Sequence, residues 1–332
     1  MAKKENKTED LTPKELFLNN FLSKVGKGTN IVKDVDDLEI VKFSTGSLKL
    51  DVELKGGYPK GTFIESAGFQ GAGKTTSCIE AAVQFQKAFP DELILWVDIE
   101  KVFDKVYFQR LGLDTNPERF ILLRTRTGEE AFEAMIEFGK SVKGGFIVLD
   151  SVTLLLPEKE DESDMGQAQM GSQARLMSQG LRKLFPHSSK NETTVFFINQ
   201  LREKLGVMYG KNTTTTGGKS LGFYTRTRLE MSRVKGEYEE TSFGCNILLE
   251  KATFGNEKQK VNTHLLLDGG FDKIADIMDL GVESGVLTKA GAWFVYGETK
   301  IGQGKEQTRA LLEDNLELSN EIEIKIRQFY GV

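Results

Sequence analysis

Apolar residues gather in short runs at 62–67, 93–98, 120–123, 146–150 and 194–199, and between these runs they recur at helical spacing. A short apolar run bounded by turn residues reads as a strand buried on both faces, whereas recurrence every three or four positions reads as a helix with one apolar side. The helical stretches are 76–89, with Ile79, Val83 and Phe89 on one side, then 105–111, 129–142 and 167–184. Alternation of this length predicts an α/β fold, a mostly parallel twisted sheet covered by helices on both faces.

The flanks read differently. Thr12-Pro13-Lys14-Glu15 is a capping box with proline at the first helical position. The helix it opens carries Leu16, Phe17, Phe21, Leu22 and Val25 on a broad face and stops at Gly26-Lys27-Gly28. So apolar a helix must dock on its own core or on another subunit. From 40 to 67 the pattern reads strand, turn, strand, with breaks at Ser44-Thr45-Gly46-Ser47 and Gly56-Gly57-Tyr58-Pro59. Segments 228–234, 247–252 and 261–267 look like antiparallel strands, and from Phe271 onward short helices and glycine turns suggest a small α+β domain. The expected division is an N-terminal oligomerisation segment at 1–38, a core at 39–270 and a C-terminal domain at 271–332.

Two long polar segments interrupt the rhythm, an acidic one at 158–169 and a basic one at 201–218. Loops this long without apolar residues are usually functional or disordered. The net charge of −5 argues mildly against a nucleic-acid partner. Yet 201–233 holds seven basic residues against only Glu203 and Glu230, so the charge is segregated. The two cysteines, Cys78 and Cys245, lie far apart, and the two histidines, His187 and His264, complete no zinc-ligand spacing. Buried, reduced thiols imply a cytoplasmic location. No apolar run approaches the ~20 residues of a membrane span, and residues 1–10 are polar, with no apolar signal core.

The chemistry centres on Gly68-Phe69-Gln70-Gly71-Ala72-Gly73-Lys74-Thr75, which fits G-x-x-x-x-G-K-[ST] between a strand and a helix. In that context backbone N–H groups from Gly68, Gln70, Gly71, Ala72, Gly73 and on to Thr76 curl around the phosphates of a nucleoside triphosphate. Lys74 supplies a mobile cation and the Thr75 hydroxyl a ligand for Mg²⁺. Asp150 closes an apolar strand and reads as the second carboxylate that holds Mg²⁺ through water. Glu100, just past the end of the 93–98 strand, is the candidate base that orients the attacking water. Gln200, where the last parallel strand meets the basic loop, is placed to touch a γ-phosphate and report it to that loop.

The chain resembles the bacterial RecA recombinases. The resemblance rests on Ser44-Thr45-Gly46-Ser47-Leu48 with Asp51, Asp98-Ile99-Glu100, Asp150-Ser151 and the run from Met170-Gly171 to Gln179. Asn199-Gln200-Leu201-Arg202, Gly206 to Gly210, Thr214 to Gly218, Gly291-Ala292-Trp293 and Ile301 to Lys305 extend it over nearly the whole chain. It implies an ATP-dependent filament on single-stranded DNA that pairs it with homologous duplex and exchanges strands. It also implies roles for particular residues: Glu100 as general base, Gln200 as γ-phosphate sensor, and Asp104 and Tyr107 near the adenine. Met170, Arg175 and Arg182 would flank the first DNA loop; Arg202, Val207, Met208, Gly217, Gly218 and Lys219 would serve the second. Phe223 would pack across the subunit interface, and Lys289 and Lys305 would face duplex DNA.

Some positions depart from the family pattern. A lysine pair that reaches the neighbour's nucleotide appears as Lys251-Ala252-Thr253, and an aromatic near the base is replaced in Leu267-Asp268-Gly269-Gly270. Lys101 stands where a histidine is common, and Val332 closes the chain without a long acidic tail, from which relatively unrestrained duplex binding is expected. Alternatives remain: a small-molecule kinase on the same scaffold, a ring-shaped helicase, or a filament whose added role is to stimulate self-cleavage of a repressor. Loading or mediator proteins are further expected partners.

Overall fold

The computed structural model describes residues 12–24, 39–164, 171–203, 213–238 and 241–332. Met1–Ile40 and Val41–Val332 are separate compact units. In the first, helix α1 (Pro13–Lys24) stacks Phe17 on Phe21 with ring centroids 5.6 Å apart, and Phe17 is exposed.

The second unit opens with β1 (Lys42–Phe43), α2 (Leu48–Glu53) and β2 (Tyr58–Pro59). Where the sequence pattern suggests strands with turns between them, α2 is a helix. The Ser47 side chain caps it by accepting from the Leu50 N–H, and buried Asp51 in its first turn accepts from the Thr45 N–H at 2.7 Å and from the hydroxyls of Ser44 and Thr45. Local side-chain bonds of this kind override the apolar alternation.

The alternating region follows the predicted order: β3 (Phe63–Gly68), α3 (Lys74–Ala88), β4 (Ile94–Asp98), α4 (Lys105–Arg110), β5 (Phe120–Leu123), α5 (Gly128–Ser141) and β6 (Phe146–Asp150). After these come α6 (Glu158–Asp161), α7 (Ser172–Lys190), β7 (Thr194–Glu203), β8 (Thr213–Thr215), α8 (Ser220–Tyr224), β9 (Thr225–Tyr238), β10 (Ser242–Ala252) and β11 (Lys260–Leu266). Helix α7 runs past the expected stop at 184 and through Pro186 before Asn191 caps it. The sheet order is β11-β10-β9-β3-β7-β6-β4-β5; pairing is parallel from β9 to β5 and antiparallel through β10 and β11, with β8 antiparallel on the end of β7.

Period-two alternation assigns neighbouring strand residues to opposite faces. Val148 and Phe196 pack with Ile79 and Phe85 of α3, while Leu149 and Phe197 pack with Phe132, Met135, Leu181 and Leu184 of α5 and α7. Helices α5 and α7 approach closely because position 180 is glycine: a Cβ there would lie 2.4 Å from the Phe132 ring. Parallel strands covered on both faces place every strand's C-terminal end at one edge, where an α/β sheet binds its ligand.

The C-terminal part comprises α9 (Lys273–Glu283), a small antiparallel sheet of β12 (Leu287–Ala290), β13 (Trp293–Tyr296) and β14 (Thr299–Gln303), then α10 (Gly304–Asp314) and α11 (Leu316–Tyr330). Its own apolar cluster contains Ile277, Phe294, Leu312, Ile322 and Ile326 and takes in Leu48 of α2. Two buried carboxylates bind it to α2. Asp276 accepts from the Ser47 hydroxyl at 2.6 Å and the Thr263 hydroxyl at 2.9 Å, and Arg327 donates to Asp51 at 2.9 Å.

Candidate active site and nucleic-acid interface

Strand β3 delivers the chain at Gly68 into a turn whose Gly71 and Gly73 have φ of +70° and +89°. Such angles favour glycine, and at Gly73 a Cβ would also lie 2.2 Å from the Leu265 side chain. The turn ends at Lys74, the first residue of α3, so its N–H groups and the helix N-terminus face one point. A cleft of about 280 Å³ opens there, bounded by Gly71, Lys74, Thr75, Thr76, Tyr107 and Arg233. The Tyr107 and Thr76 hydroxyls are 3.0 Å apart, and the Arg233 guanidinium lies 4.0 Å from the Phe243 ring centre. The sequence gives no sign of this last pair, whose members lie on neighbouring antiparallel strands. Asp104 is exposed and caps α4, accepting from the Val106 and Tyr107 N–H groups.

The strand ends bring the predicted carboxylates together. Register pairs Asp98 with Asp150 and Gly68 with Gln200. Asp98 serves the structure: fully buried, it accepts from the Val102 and Phe103 N–H groups and from Arg124 at 3.0 Å. Asp150 is different. Both its oxygens are buried and neither has a hydrogen-bond partner. Burial, reinforced by Glu100 and Asp98 and opposed by Lys74, pushes its carboxyl up to about 7. Burial lowers the Lys74 ammonium, while Glu100 and Asp150 oppose that shift; its Nζ donates to the Phe69 carbonyl at 2.8 Å. Glu100 is half-buried and accepts from the Ser151 hydroxyl at 2.7 Å, a bond between two motifs that the sequence reading keeps apart.

A bare, buried carboxylate beside a lysine and a second acid is the environment a hydrated divalent cation would complete. Asp150, the half-buried Thr75 and the phosphate turn therefore fit Mg²⁺ with a triphosphate.

The two loops rise from the same edge. Of the acids of the first, Asp161 is paired with Arg126 at 2.7 Å, and Glu160 accepts from the Ser172 hydroxyl at 2.8 Å. Arg175 and Arg182 on α7 are exposed. The roots of the second loop are β7 and β8, paired Arg202 to Thr214 and Glu203 to Thr213. Gly217 and Gly218 have φ of +77° and +81°; a Cβ at Gly217 would lie 2.8 Å from Val152 and 3.1 Å from Met177, and one at Gly218 3.0 Å from Ala174. Arg202 and Lys219 are exposed. Met170, Val207 and Met208 lie outside the described residues.

Phe223 on α8 is 77% exposed. Lys251 reaches the carbonyl of the adjacent Gly222 at 3.2 Å. On the C-terminal sheet Lys289 is exposed, and Lys305, also exposed, lies 3.9 Å from Asp279.

Comparison with known proteins gives one answer along the chain. A profile of the RecA N-terminal domain matches residues 15–269, and one of the RecA C-terminal domain matches 275–331. Protein RecA of Cytophaga hutchinsonii is 40% identical over 96% of this chain and 91% of its own. Protein RecA of Aquifex aeolicus is 36% identical over 99% and 95%, and that of Chelativorans sp. 39% over 92% and 86%.

Proposed function

The chain belongs to the RecA family and is a DNA-dependent ATPase of homologous recombination, and from that premise we propose how its residues divide the work. Lys74 and the N–H groups from Gly68 to Thr76 hold the triphosphate, with Tyr107 and Asp104 beside the base. Thr75 and Asp150 hold Mg²⁺, which when bound offsets the negative charge that builds on the phosphates during transfer. Glu100, fixed by Ser151, accepts a proton from the attacking water. Gln200, opposite Gly68, carries the state of the γ-phosphate into the second loop.

Arg175, Arg182, Arg202 and Lys219 contact DNA phosphates, Met170 flanks the first loop, and Val207 and Met208 wedge between bases without reading them. Gly217 and Gly218 bring backbone close to the strand. Phe223 and Lys251 meet the neighbouring protomer, and Lys289 and Lys305 meet duplex DNA. The functional division is 1–38 for assembly, 39–270 for catalysis and 271–332 for duplex contact. No helix among the described residues is long and apolar enough to cross a membrane; a cytoplasmic location, loading proteins and a self-cleaving repressor belong to the same reading.

The observation that carries the reading is the unbonded Asp150 carboxylate at the strand edge from which both loops rise. ATP turnover measured with and without single-stranded DNA tests it. The intact chain should turn over faster with DNA, and Lys74→Ala should abolish turnover in both conditions. Equal rates with and without DNA, from particles that never assemble, would overturn it in favour of a kinase.

A further inference from the structure

Glu65 sits in the middle of β3, three residues before the phosphate turn, and is 1% exposed. Nothing in the chemistry of phosphate transfer calls for a carboxylate there. Its two oxygens are used separately. Oε1 accepts from Asn199 Nδ2 at 2.9 Å and Oε2 accepts from Arg228 Nε at 2.6 Å. Asn199 precedes Gln200, and its Oδ1 accepts from the Thr216 hydroxyl at 2.5 Å and from the Gln200 N–H at 2.9 Å. Thr216 immediately precedes the glycine pair at the second loop's root, and its hydroxyl lies 2.9 Å from that of Thr153, which also accepts from the Gln200 N–H at 3.2 Å. An unbroken chain of hydrogen bonds therefore runs from the phosphate strand to the loop.

The loop root has room to move. Glu65, Thr214, Lys219 and Arg228 line a cavity of about 290 Å³, so β8 rests against open space rather than a filled core. Resting on the recombinase reading above, we propose that Glu65 is a positioning residue of the DNA-coupled ATPase: it fixes Asn199, and through Asn199 sets the second loop's root in register with the phosphate strand. Carboxylate chemistry is required because two donors converge on it, and only an acceptor-only group satisfies both. A glutamine at 65 has one acceptor oxygen. Either a donor is left facing its amide nitrogen, or Asn199 turns over and presents its own nitrogen to the Gln200 N–H.

Glu65→Gln tests this, read out as ATP affinity, DNA-free turnover, DNA-stimulated kcat and the single-stranded DNA concentration for half-stimulation. ATP affinity and DNA-free turnover should stay at the unsubstituted values. The half-stimulating DNA concentration should rise about tenfold, the shift expected from one lost buried hydrogen bond. Glu65→Gln/Asn199→Asp moves the acceptor-only group one link along and keeps the charge, so it should restore part of the coupling, the Thr216 carbonyl losing the donor that Asn199 Nδ2 gives it at 3.2 Å. Thr216→Val, at the partly exposed far end, should reproduce the Glu65→Gln defect without touching the core strand. The proposal fails if Glu65→Gln keeps full stimulation, if ATP affinity falls in parallel with it, or if the double substitution gives no recovery. Lack of DNA stimulation in the unsubstituted chain would instead bring down the recombinase reading, and this proposal with it.

Discussion

Asp150, the proposed holder of Mg²⁺, weakens the fold that carries it. Its carboxyl ionises at about 7 in the folded chain against an ordinary value of 3.8, so the folded form holds the proton more tightly than the unfolded one. The stability this confers is fully present below the ordinary value and is lost as pH rises through about 7. A shift of about three units corresponds to a loss on the order of 4 kcal/mol. Asp150→Asn should therefore raise the melting temperature of the nucleotide-free protein at pH 8, with a gain that shrinks toward pH 4, while turnover is lost. Calorimetry across that range checks it; an equal gain at every pH would refute the assignment. Asp150 was legible in the sequence because a strand ending in a carboxylate after a phosphate turn is a local pattern. Glu65 was not, because residues 65, 199 and 228 meet only once three strands lie side by side.

Elements were legible wherever apolar runs decide the outcome, as in β4, β6 and β7. They were misread where polar side chains decide it. Helix α2 exists because Ser47 and Asp51 satisfy backbone and hydroxyl groups at its start, and α7 continues through a proline that reads as a stop. Ser47 serves two elements, capping α2 and donating to buried Asp276 on α9. Burial raises the Asp276 carboxyl, while its bonds to Ser47 and Thr263 and the charge of Lys49 oppose that shift. Ser47→Ala removes a cap and one of these donors together, and should cost about 2 kcal/mol. Urea denaturation should show this loss with an unchanged m-value; a cost under about 0.5 kcal/mol would mean that the cap and the bond contribute little beyond an ordinary surface change.

At the scale of the whole molecule, the net charge of −5 misleads because opposite charges are sorted rather than mixed. Asp161 of the first loop is paired with Arg126 and Glu160 accepts from Ser172, and the exposed Arg175, Arg202 and Lys219 stand on the loop flanks. Each such cation held on a phosphate of single-stranded DNA contributes about 0.7 to the slope of log affinity against log salt. Arg175→Ala combined with Lys219→Ala should lower that slope by about 1.4, with little change in preference among DNA sequences. Fluorescence anisotropy titrations over a range of salt concentrations measure it, and an unchanged slope would remove both residues from the interface.

The glycine pair at 217 and 218 has a practical corollary for anyone wishing to retune the protein. It is a seam: a Cβ at Gly217 would lie 2.8 Å from Val152 and 3.1 Å from Met177, while Gly218 is exposed and is constrained by its φ of +81° rather than by space. The paired rungs Arg202–Thr214 and Glu203–Thr213 lie on the near side of that seam. A loop exchange confined to the positions between 203 and 213 should therefore keep these rungs and the left-handed glycine pair, whereas an exchange running to 218 would remove both.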